Sequence, residues 1–124
     1  MSNLVAIAAL TGFVGDGLLQ IIARTTPYEW GLRGYFDQHG SAEALFIAAG
    51  MLAMFFTILL AFPFIPVNFL TLAVYGALLD IFFRLTGIFP SLDGYYRSLN
   101  PVESIIWGAI PMMLPLLFAK IFWP

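Results

Sequence analysis

The sequence predicts an all-α membrane protein of four transmembrane helices arranged as two parallel helix–loop–helix repeats. Three observations carry this. The chain is 61% hydrophobic with a mean hydropathy of +0.94. Only 10% of its residues are charged, where a soluble domain carries roughly 25%. And a stretch of the first half recurs in the second half at an offset of 60 residues. Within 124 residues this leaves one four-helix domain and no room for a second.

A helical span needs ~20 predominantly apolar residues. The first such stretch runs over residues 4–23, and no Lys or Arg precedes it, so it reads as a retained span and not a secretory signal. The second covers 42–62. The third, 67–88, follows the turn PFIP, whose two prolines break the helix, and Asn68 is placed to cap what comes next. The fourth covers 102–123. Asn100 fits its N-cap, Pro101 its first turn and Glu103 the reciprocal capping position. Pro111 and Pro115 predict a kinked fourth helix.

Two polar connections remain, 24–41 and 90–101. With four spans they share one face of the membrane. Arg24, Arg33, Arg84 and Arg97 gather there against a lone Lys120 on the other side. The positive-inside rule therefore predicts cytoplasmic loops, with both termini across the membrane.

GLLQIIARTT (17–26) aligns with ALLDIFFRLT (77–86), and LRGYF (32–36) with LDGYY (92–96). Ten of 34 ungapped positions are identical between 17–50 and 77–110, where roughly three are expected by chance in so biased a composition. The repeats span about 1–60 and 61–124. Two spans each make them parallel, related by a pseudo-twofold axis along the membrane normal. At this offset Gln20 matches Asp80, Arg24 matches Arg84, and Asp16 falls opposite Gly76, without a charged counterpart.

Polar residues inside the spans are the candidate sites: Asp16, Gln20, Asp80 and Arg84. On the first helix Ala8, Gly12, Asp16, Gln20 and Arg24 fall at i, i+4 steps; on the third Leu72, Gly76, Asp80 and Arg84 do. Such stripes serve as helix–helix seams, or, in a functional reading, as a polar path for an ion or proton. Asp80 and Arg84 are spaced to pair at i, i+4. Arg24 with Glu43, and Arg84 with Glu103, are positioned for ion pairs across each loop. His39 reads as a solvated loop residue.

The loops are rich in aromatic and charged residues: Tyr28, Trp30, Arg33, Tyr35, Phe36 and Asp37 in the first, Tyr95, Tyr96 and Arg97 in the second. They suit an interfacial belt or a protein-docking surface. No catalytic constellation is present in the sequence: no Ser/His/Asp set, no HExxH, no phosphate loop. No enzyme, cofactor or metal site is expected. Net charge is −2 without a basic tail, which argues against a nucleic-acid partner.

The segments GDGLLQII, WGLRGYFDQHG, YGALLDIFFR, FPSLDGYYRSLNP and WGAIPMMLPL resemble small multi-span membrane proteins of nucleocytoplasmic large DNA viruses, the algal-virus type above all. The resemblance runs from Gly15 to Leu116. It implies a structural protein of the internal virion membrane, derived from host endoplasmic reticulum during assembly. Its polar loops would link that lipid bilayer to capsid or other virion proteins in a minor-capsid role. The alternative is a small homo-oligomeric channel or transporter working through Asp16 and the polar stripes.

Overall fold

The structure is a computed structural model and describes residues 2–26 and 33–122. All its regular elements are helical. They are α1 (Ser2–Thr25), α2 (Arg33–Gln38), α3 (Ser41–Leu60), α4 (Phe69–Thr86), a 3₁₀ turn (Pro90–Leu92), α5 (Asp93–Ser98) and α6 (Pro101–Phe122). The helices α1, α3, α4 and α6 are each long and apolar enough to cross a membrane. They coincide with the four predicted spans to within two residues at each end.

Local signals act where the sequence places them. The Asn68 side chain accepts from the Thr71 backbone N–H at 2.8 Å and starts α4. Asn100 accepts from the Glu103 backbone N–H at 2.9 Å, and the Glu103 carboxylate accepts from the Asn100 N–H at 3.2 Å. That reciprocal pair satisfies two donors at the start of α6. Gly87 ends α4 in the left-handed region at φ 63°, where a side chain would be strained. α6 runs through Pro111 and Pro115 as one helix.

The bundle is apolar outside, and its few polar side chains within the spans turn inward. Leu10, Leu18, Ile21, Leu70, Leu78 and Leu85 are all more than half exposed, while Thr11, Asp16, Gln20, Asp80 and Ser104 are buried. In hydrocarbon an unsatisfied polar group costs several kcal/mol, so polar side chains turn to the protein interior. An apolar flank of this kind suits contact with lipid. This pattern, with the four helices, makes the chain an integral membrane protein.

α1 packs along α3, and α4 along α6. Small residues allow each approach. A Cβ on Gly12 would lie 2.5 Å from the Ala48 carbonyl oxygen, and one on Gly76 would collide with the Gly108 carbonyl. α1 also packs on α6. α3 meets α4 through side chains: the Tyr75 hydroxyl donates to the Phe55 carbonyl at 2.8 Å, and Phe55 stacks on Phe83 at 5.5 Å. Leu4, Ala8, Phe56, Leu59, Leu72, Met112 and Leu116 complete the apolar core at the end opposite the polar loops.

Two findings depart from the sequence expectation. Parts of the polar loops are helical: α2 and α5 lie against each other over the bundle end. And the repeat has two registers. The loops and second helices follow the offset of 60, since Tyr35 donates to the Ala44 carbonyl as Tyr95 does to that of Ser104, each at 3.3 Å. The first helices follow 64: Gly12 sits on Ala48 as Gly76 sits on Gly108. Asp16 therefore corresponds to Asp80, and the first repeat holds one extra helical turn before its loop.

Candidate functional site

Between the two hairpins lies a cavity of about 260 Å³. Asp16 and Asp80 both line it, at the two ends of the corrected repeat relation. Tyr35, Tyr95, Tyr96 and Trp107 also face it. The rest of its wall is chiefly aliphatic and aromatic.

Each acid is linked to the helix packed against its own, Asp16 through Gln20 and Asp80 directly. On α1 the Gln20 amide donates to Asp16 Oδ2 at 2.6 Å and to the Ser41 carbonyl of α3 at 3.0 Å. Gln20 thus ties the acid to the neighbouring helix start. On α4 the equivalent acid reaches across directly: Ser104 of α6 donates to Asp80 Oδ1 at 2.5 Å. Ser104 is fully buried. Asp80 Oδ2 is buried and has no partner.

The expected ion pairs are replaced by other contacts. Asp80 and Arg84 do not bridge. Arg84 donates instead to the Leu99 carbonyl at 3.0 Å and lies over the Tyr96 ring at 5.2 Å, with its Nε unpartnered. A guanidinium at a helix end can satisfy a free carbonyl and lie on a ring face at once. Arg24 donates to Ser41 Oγ and to Gln20 Oε1, not to Glu43. Glu43 is bridged by His39 at 2.7 Å. Glu103 is engaged in its cap, so no Arg84–Glu103 pair forms. His39 is not solvated: its side chain is 4% exposed, and its ring meets the edge of Tyr35 at 5.1 Å.

The loop residues divide. Tyr35 is buried, and Phe36, Tyr95 and Tyr96 are half-buried; Arg97 is exposed. Tyr35 of α2 and Tyr95 of α5 meet edge to face at 6.4 Å. Gln38 joins the loops, donating to the Pro90 carbonyl and accepting from the Gly94 N–H, both at 2.6 Å. Tyr28 and Trp30 lie outside the described residues, as do the side chains of Arg33 and Asp37.

Sequence reasoning singled out Asp16, Gln20, Asp80 and Arg84 but missed Ser104, Gln38 and Trp107. Ser104 had a usable signal, being a lone hydroxyl one turn into a span. Gln38 and Trp107 had none, because their roles depend on partners far away in the chain. Compared with known families, curated proteins and solved structures, the chain matches none of them.

Proposed function

We propose that this is a small membrane protein of the channel or carrier class, whose ligand site is the cavity between its hairpins. One observation carries the reading: two equivalent acids, one from each repeat, line a single cavity inside a four-helix membrane domain. Buried intramembrane carboxyls are costly and mark ligand or ion pathways. Sites at the interface of internal repeats are a recurring transporter arrangement. The small–polar stripes themselves pack as seams, Gly12 on Ala48 and Gly76 on Gly108, so the cavity and not the stripes is the path. Reconstitution into liposomes tests this. Cation or proton flux that falls in both Asp16→Asn and Asp80→Asn is expected; flux unchanged in both variants overturns it.

A second reading follows from the loops. α2 and α5, joined by Gln38, form one polar platform over the bundle end. Together with the resemblance to large-DNA-virus membrane proteins, this supports a virion membrane protein whose platform docks capsid-side protein. The inward turn of Tyr35, Tyr95 and Tyr96 weakens that reading, since it withdraws aromatic anchors from the docking face. Cross-linking of intact particles is its test. Links from Arg97 or the 27–33 segment to shell protein support it, and links confined to lipid-embedded partners oppose it.

A further inference from the structure

We propose that the cavity takes a small hydrophobic monocation, an ammonium group on an apolar body, with Asp80 as counter-ion and the Tyr95 and Trp107 rings as walls. The inference rests on the ligand-site reading above and names its ligand class.

Charge sets the sign of the ligand. Among the described residues, the charged ones that line the cavity are Asp16 and Asp80, and no Lys, Arg or His is with them. Arg84, the cation nearest Asp80 along α4, donates to the Leu99 carbonyl and lies over the Tyr96 ring, and forms no ion pair with Asp80. In a low-dielectric wall an acid without a cation partner makes a strongly negative site.

Each acid accepts one side-chain hydrogen bond, and they differ in the oxygen that is left: only that of Asp80 stands among the described buried atoms without a partner. Asp16 already accepts a hydrogen bond through Oδ2 from Gln20. Asp80 is 5% exposed, is held through Oδ1 by Ser104, and keeps Oδ2 without a partner. A buried carboxylate oxygen with no partner is the expensive condition that a bound cation relieves.

The walls set the rest of the ligand. They are mostly apolar, so the body of the ligand is apolar. Aromatic faces beside a carboxylate are the arrangement that recognises ammonium groups. A volume of about 260 Å³ lies just under the ~300–1,000 Å³ of drug-sized sites, so the ligand is small.

The test uses the full chain in nanodiscs and two probes of equal shape. Benzyltrimethylammonium carries the charge; neopentylbenzene is its neutral carbon isostere. Binding is measured by equilibrium dialysis against empty nanodiscs. The expected result is saturable cation binding that weakens about 30-fold or more in Asp80→Asn, as for loss of one partner of a buried charge pair. Binding stays unchanged in Asp93→Asn, an exposed acid outside the cavity. Should Asp80→Asn fail to fold, Trp107→Leu replaces it, and a weakened cation with an unaffected isostere is again expected. Equal binding of the two probes overturns the monocation while leaving a ligand site in place. Saturable binding of neither probe overturns both the monocation and the ligand site.

Discussion

The backbone of Gly76 in α4 lies directly on that of Gly108 in α6. A Cβ on Gly76 would also stand 2.8 Å from Met112 Cγ. A Cβ on Gly108 would meet the Gly76 carbonyl at 2.8 Å and Asp80 Cβ at 2.9 Å. This contact sets how near Asp80 comes to Ser104. Gly76→Ala is therefore expected to lower stability by about 1–3 kcal/mol through overpacking. Gly15, where a Cβ would meet nothing within 4 Å, gives the control. Gly15→Ala should be neutral or stabilise by roughly 0.5–1 kcal/mol, as Ala does in a helix. Thermal unfolding in detergent distinguishes the two, and equal losses would refute the seam.

Among the described residues, Gln38 is the side chain whose hydrogen bonds bridge the two loops, through Pro90 and Gly94. Gln38→Ala removes both bonds without touching the spans. Two neutral hydrogen bonds correspond to about 1–3 kcal/mol, felt locally at the cap. Hydrogen exchange should quicken at the Gly94 amide and through α5, while α1 and α3 stay protected. Uniform exchange across the bundle would show that the cap is not a separate unit.

The start of α6 depends on Asn100 and Glu103 acting together. Asn100→Ala leaves the Glu103 N–H unpaired and is expected to cost ~1 kcal/mol. Asn100→Asp keeps the acceptor and adds a negative charge near the positive helix end, so it should restore stability. A double variant with Glu103→Ala should cost less than the sum of its parts, because the two bonds form one reciprocal pair.

Alkaline pH offers a test of the phenols of α2 and α5. Burial pushes the Tyr35 hydroxyl above its ordinary value of 10.0, with the Asp16 charge adding to the rise; burial raises Tyr95 and Tyr96 too, and there the Asp80 charge adds. The unfolded chain loses these protons at about pH 10 while the folded chain keeps them. A raised folded value means their contribution is complete below pH 10 and declines as pH climbs beyond it. Unfolding midpoints should be level up to about pH 10 and then fall. Tyr35→Phe and Tyr95→Phe should each flatten that fall, and an alkaline limb identical to the unmodified protein would exclude these phenols as its source.

By itself the sequence determined the four spans, their polar connections, and the caps at Asn68 and Asn100. Those features depend on hydropathy summed over ~20 residues or on groups three or four positions apart. It also marked Asp16, Gln20, Asp80 and Arg84 as the polar residues within the spans. Tertiary structure decided who meets whom. The repeat read at 60 becomes 64 in the first helices because a slip of four residues is close to one 3.6-residue turn and leaves the same stripe facing inward. Only the fit of Gly12 on Ala48 and Gly76 on Gly108 separates the two registers. That fit brings Asp16 into correspondence with Asp80 and sets both on one cavity. The partners of Arg24, Arg84, Glu43 and His39 were decided the same way, by carbonyls, hydroxyls and rings that the fold brings closer than the charges the spacing had offered.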